Sequence, residues 1–243
     1  MRRFVLLFER ELGATFHSFG VYALFAAFMA ITAFCFQWAL AGWGYDMTMA
    51  LGAIHVWLLL LAMFVAPLLT MRSFAEEKRS GSFELLMTAP VTDLQVVSAK
   101  YAGSVAVFIA FMLPVWLCHL VLALFFGAAP DWGQLVAVTG GLLDVGLLLL
   151  AMGTLASALT SAQIWAGLLG FVGNAVLWSV GLCRAFFPSD SWPHRMLTWM
   201  SLDLHVRSSA FGILDLRHVV YELGLAALLL FWTVRIVEAR KWR

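Results

Sequence analysis

Six stretches of the chain, near 19–41, 50–71, 101–127, 134–158, 164–183 and 218–237, are almost unbroken runs of apolar residues. Each is about as long as the roughly 20 helical residues that cross a hydrocarbon layer about 30 Å thick. In lipid only helices and closed barrels satisfy their own backbone, and these runs lack the period-2 alternation of barrel strands. The fold class is therefore an all-α integral membrane protein with six transmembrane helices. Composition agrees: 63% of the 243 residues are hydrophobic and 12% charged, where a soluble domain carries roughly a quarter charged residues. A formal net charge of +1 gives no electrostatic case for a nucleic-acid partner.

Orientation follows from where Lys and Arg lie. Arg2, Arg3 and Arg10 precede the first span, Arg72, Lys78, Arg79 and Lys100 separate the second from the third, and Arg235, Arg240, Lys241 and Arg243 close the chain. An even number of spans puts all three groups on one side. Against these eleven, the opposite side has the four arginines of 184–217, which carries three aspartates as well. Both termini are expected in the cytoplasm, at the inner membrane of a bacterium, with 184–217 facing out. Ala39-Leu40-Ala41 has the look of a signal cleavage site. The apolar run before it is too long for a signal h-region, and Glu9 and Glu11 occupy the place of a basic leader, so an uncleaved anchor is expected.

The whole chain, 1–243, reads as one transmembrane domain. Residues 1–18 are too charged to span, and Phe4, Phe8, Leu12 and Phe16 recur every four residues, as in a helix lying in the headgroup layer. Residues 19–71 hold spans one and two, 72–100 a cytoplasmic loop, 101–183 spans three to five, 184–217 the outer segment, and 218–243 span six and the tail. Cys35, Cys118 and Cys183 have no ligand spacing and are expected as small buried hydrophobes.

The loop concentrates chemistry. Phe74 to Arg79 extends the second helix; Ser80-Gly81-Ser82 breaks it, since glycine tolerates the turn and serine caps a new helix. Ser82 then starts a short transverse helix, Phe83 to Thr88, with Glu84 in the first turn where the macrodipole favours an acid. Pro90 ends it, and Thr92 with Gln95 forms a capping box for the next helix. Phe83, Leu85, Leu86 and Met87 would be exposed at the loop tip. A helix lying on lipid displays Lys and Arg, whereas this one has Glu76, Glu77 and Glu84 beside it, so a groove on a partner protein is the expected acceptor.

The pattern Glu77-Lys-Arg-Ser-Gly81-Ser-Phe-Glu84-Leu-Leu-Met-Thr-Ala-Pro90-Val, entered from Arg-Ser-Phe-Ala-Glu and followed by Lys100-Tyr101, resembles the cytoplasmic loop of ABC-2 type permeases, the membrane subunits of ABC exporters. It is most similar to the F-type subunit of the gliding-motility-associated branch. A second patch, Leu204-His205 to Phe211-Gly212-Ile213-Leu214-Asp215-Leu216-Arg217 and on into Val220-Tyr221, is similar to the stretch leading into that branch's last helix. The resemblance covers nearly the whole chain and implies an ABC-2, type V exporter-like fold. It also implies that Glu76, Glu77, Gly81, Phe83, Glu84, Leu85, Leu86 and Pro90 couple the chain to a nucleotide-binding ABC ATPase subunit. Two permease chains per complex, identical or related, are implied as well, and the substrate is left open. His205, Gly212, Asp215 and Arg217 mark the outer segment.

No Walker A loop is present, because none of Lys78, Lys100 and Lys241 stands in a GxxxxGK[ST] context. ATP and Mg are therefore expected on the partner subunit, with no cofactor or metal on this chain. There is no HExxH, nucleophile elbow or pair of close carboxylates in one loop. His194, Asp203, His205 and Asp215 are read more simply as loop polar groups and caps than as catalysts.

Ionisable residues in lipid are expensive and count as functional candidates. Asp144 lies about ten residues into span four, roughly 15 Å deep. It either accepts hydrogen bonds from a neighbour such as Asn174 or a Trp, or lines a translocation path or proton relay. His55, His119 and Glu222 are expected nearer the outer ends, in reach of water, and Trp43, Trp57, Trp116, Trp132 and Trp232 form an aromatic belt. Residues 184–217 would form partly amphipathic helices on the outer surface, capping an exit path, contacting a periplasmic or auxiliary membrane partner, or simply connecting. The sequence supports an exporter permease subunit first. The alternatives are an ABC complex that transmits ATP-driven motion to a periplasmic partner without transport, and a proton-coupled carrier using Asp144. The carrier lacks support from an inverted repeat.

Overall fold

The computed structural model describes residues 2–43, 47–83, 91–126 and 131–239. Its elements are α1 (Arg2–Phe16), α2 (Phe19–Trp43), α3 (Met47–Thr70), α4 (Ala75–Ser80), α5 (Asp93–Ala110), α6 (Leu113–Phe126), α7 (Trp132–Leu159), α8 (Gln163–Leu182), a 3-10 turn (Cys183–Phe186), α9 (Trp192–Trp199), α10 (Leu202–Ala210) and α11 (Leu216–Ala239). Among the described residues six stretches are long and apolar enough to cross a membrane, as expected: Phe19–Gly42, Ile54–Ser80, Asp93–Phe125, Trp132–Leu159, Gln163–Phe186 and Leu216–Ala239.

The third span is not the single helix the apolar run predicts. It is divided into α5 and α6 by a turn at Phe111 and Met112. Pro114 supplies the reason: it has no N–H to donate and its ring crowds the carbonyl four residues back, so a helix restarts there more easily than it continues.

Helix α7 is the axis of the bundle, packing against α3, α5, α8, α10 and α11. Leu148, Leu149, Leu150 and Ala151 are fully enclosed. In α3 and α7, 56% and 61% of the apolar window is buried, against 17% in α2 and 22% in α8 and α11. The first pair is therefore the core, and the other three present wide apolar faces outward.

The outer segment departs from expectation. Helix α9 is partly exposed, but α10 is sunk into the bundle against α3, α7 and α8, with Leu202, His205, Val206, Ser209 and Ala210 buried. Two glycines make room for it. A Cβ on Gly141 of α7 would come within 2.3 Å of the Ser209 hydroxyl, and one on Gly181 of α8 within 2.3 Å of the Ser201 hydroxyl. Close approach of small residues is how helices associate where lipid removes the hydrophobic drive.

Helix α1 is amphipathic, as the phenylalanine spacing predicts. It lies along α5, with Phe4 and Phe8 stacked at 6.4 Å and Leu12 against the core.

Candidate functional site

Two polar assemblies stand at opposite ends of the bundle. The first forms where α1, α4, α5 and the end of α7 meet. Helix α4 has Glu76 and Glu77 in its first turn and Lys78 and Arg79 in its last, the arrangement a helix dipole favours. Gly81 closes it at φ +75°, the left-handed cap expected of the Ser-Gly-Ser break. Thr92 and Gln95 make both halves of the predicted capping box at the start of α5.

Helix α4 is fastened to α7 by groups each helix end would otherwise leave unpaired. The N–H groups of Phe74 and Ala75 donate to Ser157 Oγ at 3.0 and 3.2 Å. Ser157 itself donates to the Met71 carbonyl at 3.1 Å, and Lys78 Nζ donates to the Ala158 carbonyl. A second fastening runs to α1 and α5. Lys100 Nζ, 3% exposed, lies 2.9 Å from Glu11 Oε1 and 2.9 Å from Glu77 Oε1, and Arg10 Nη2 donates to the same Glu77 oxygen at 3.1 Å. The Phe74 ring covers the ammonium at 5.4 Å.

Two coupling candidates therefore sit differently from expectation. Glu77 is buried and spent on Lys100 and Arg10 within the chain, because an ammonium as enclosed as Lys100 requires a counter-charge. Phe83 is not displayed at a loop tip. It is 9% exposed and packs with Phe74, Val96, Val97, Ala158 and Val237, since its own bundle offers the apolar cover expected from a partner. Glu76 is exposed. Glu84, Leu85, Leu86, Met87 and Pro90, with most of the transverse helix, fall outside the described residues.

The second assembly is at the far end and joins α7, α10 and α11. His205 of α10 contacts Glu222 Oε1 of α11 through Nδ1 at 2.7 Å and the Trp199 carbonyl through Nε2 at 3.0 Å. A carbonyl only accepts, so Nε2 carries the hydrogen. The imidazole stacks on His218 at 3.7 Å between centroids and meets Tyr221 edge-on. Asp144 of α7 lines the same small space beside Glu222. Burial lowers the His205 pKa from its ordinary value, against an upward pull from the Trp199 carbonyl and the Asp144 and Asp215 carboxyls. The space left among Asp144, His205, Asp215, His218 and Glu222 is about 10 Å³, which holds one water at most. It is a packed contact between helices rather than a substrate pocket.

This assembly brings together Asp144, His205 and Asp215 from the sequence candidates and corrects the expectation for Glu222, which is 1% exposed. The signal for it was the four-residue spacing of His218 and Glu222 on one helix face. Asp215 also accepts from the Arg217 N–H at 2.9 Å at the start of α11, while the Arg217 side chain points to the exterior, 71% exposed. Gly212, at φ +81°, turns the chain out of α10. Asp144 does not meet Asn174, whose buried amide atoms have no partner among the described residues. His119 is fully buried rather than interfacial, bonded through Nδ1 to the Val115 carbonyl at 2.7 Å and set against Phe36. His55 is buried as well. No group of three or more metal-ligating side chains occurs among the described residues.

No curated protein matches the chain. The family described as ABC-2 family transporter protein matches residues 45–202, from the start of α3 to the first residue of α10. The match takes in α4, its fastening to α7, and Asp144, and since it spans well over half the sequence, the chain belongs to the ABC-2 family of transporter proteins.

Proposed function

We propose that this membrane permease subunit of an ABC transporter is an exporter subunit, driven through α4 and the loop after it by a separate ABC ATPase that binds ATP and Mg. ATP binding would close the ATPase dimer, and residues 76–90 would carry that movement into the bundle, switching it between inward-closed and outward-open arrangements. The observation that carries the reading is the double fastening of α4, to α7 through Ser157 and Lys78 and to α1 and α5 through Glu77 and Lys100. A push on so fastened a helix is delivered to the axis of the bundle. Export, and a place nearest the gliding-motility-associated branch, are supported by the motif resemblance at 77–91 and 204–221.

The orientation, with both termini cytoplasmic at a bacterial inner membrane, is supported by the eleven basic residues that the order of the spans assigns to one side. A second permease chain, identical or related, is supported by the wide apolar faces of α2 and α8. Family membership favours ABC coupling over a proton-driven carrier. The burial of α10 in the bundle lends specific weight to the other alternative, transmission of motion to a periplasmic partner through 184–217, because the outer segment is mechanically continuous with α7.

The test is purification of the chain from its native membrane with whatever accompanies it. An ATPase subunit that co-purifies with wild type and is lost on reversing the charges of Glu76 and Glu84 is the expected result. A preparation of this chain alone, with no nucleotide hydrolysis, would overturn the reading.

A further inference from the structure

A half-open cleft of about 540 Å³ lies between α1, the start of α2, the end of α3 and α4, beside α5. Its charged lining is balanced: Arg10, Arg72 and Lys100 against Glu11, Glu76 and Glu77. Val21 and Leu24 of α2 and Leu68 and Leu69 of α3 continue it toward the membrane interior. A polar mouth above an apolar floor, at the level where an amphipathic helix meets transmembrane helices, has the shape of an amphiphile lying in the leaflet.

The mouth discriminates among headgroups. Arg72 spends one donor on Ser18 Oγ at 2.9 Å and has others left in its planar fork, which suits phosphate oxygens. Gly20 leaves room beside that guanidinium, since a Cβ there would lie 3.9 Å from Nη2. On the acidic wall, Glu77 is enclosed and its Oε1 receives both Lys100 and Arg10, so Glu76, exposed and lining the cleft, is the acid open to a ligand cation. A primary ammonium gives a carboxylate a charge-assisted hydrogen bond, where a quaternary amine has no N–H to give. A headgroup with both a phosphate and a primary amine answers Arg72 and Glu76 together. An anionic headgroup answers Arg72 and leaves Glu76 without a cation.

We infer that this cleft binds one membrane phospholipid with a phosphate–ethanolamine headgroup, its phosphate on Arg72, its ammonium on Glu76 and its acyl chain along Leu24 and Leu68. The lipid closes the gap between α1 and α4 and so joins the fastening through which α4 is held. Retention of lipid is measured without ATP hydrolysis, so its failure and that of the exporter reading are separate results.

The experiment is native mass spectrometry of the full chain released from nanodiscs of equal parts phosphatidylethanolamine, phosphatidylglycerol and phosphatidylcholine. Wild type is expected to retain one phosphatidylethanolamine per chain, several-fold over either competitor. Arg72→Ala, an exposed position outside the Lys100 ion pairs, and Leu68→Trp, which fills the floor, should each lose that preference. Equal retention of the three lipids by wild type overturns the inference. So does an undiminished preference in both variants. Should a variant fail to fold, the wild-type distribution alone decides.

Discussion

The two polar assemblies join helices by opposite means. At the loop end, Lys100, Arg10, Glu11 and Glu77 make ion pairs of fixed charge, with Arg10 half in solvent. At the far end, His205 is hydrogen-bonded to Glu222 and stacked on His218, with Asp144 beside them, and the His205–Glu222 bond depends on where its proton resides. A fixed ion pair holds over a wide pH range and transmits a push. A proton-dependent contact between α7, α10 and α11 separates more readily when its protonation changes. In the proposed mechanism the first end would receive force and the second would open.

The largest effect expected from breaking this comparison is at Lys100. Lys100→Ala leaves Glu11 and Glu77 facing one another without their buried cation, a loss on the order of 3–5 kcal/mol, read as a lowered midpoint in detergent thermal unfolding. At the far end, Glu222→Leu removes the partner of the buried His205 Nδ1, at about 1–3 kcal/mol for the group left unsatisfied. Glu222→Gln keeps a hydrogen-bonding side chain there and should lose much less; equal losses for Leu and Gln would show that packing, not the polar contact, holds α10.

A pH series sharpens the contrast. His205 has a folded pKa below its ordinary 6.5, so the unfolded chain binds its proton first. Stability is then unaffected above that ordinary value and falls as pH drops through it toward the folded value. His205→Gln should flatten part of that fall. The groups facing His205 are Asp144, Asp215, His218, Tyr221 and Glu222, and their variants serve as controls. The smallest effect is at Arg235, whose pair with Glu238 at 2.8 Å is largely exposed; Arg235→Ala should change the unfolding midpoint by less than about 0.5 kcal/mol.

What was legible in the sequence is what local chemistry decides. Span length follows from hydrocarbon thickness, the Thr92–Gln95 box from side-chain reach, and the break at Gly81 from a left-handed backbone. The depth of Asp144 could be counted along its run. Its neighbours could not, because Glu222 and His205 come from elements some sixty to eighty residues away and are brought in only by α11 and α10 packing on α7. The residues of α10, Leu202–Ala210, mix polar and apolar as a surface helix does; its burial depends on Gly141 and Gly181 being small at two distant positions. Phe83 shows the same limit. An apolar residue in a polar loop signals a need for cover, but the cover lies on α5, α7 and α11.

The central claim is that α4 moves with the axis of the bundle and not independently of it. The direct test is the distance between spin labels at Arg79→Cys in α4 and Ser161→Cys after α7, in the complex with its ATPase, with and without ATP. The account predicts one narrow distance distribution common to both states. A nucleotide-dependent shift on the scale of one helical turn, about 5 Å, would contradict it.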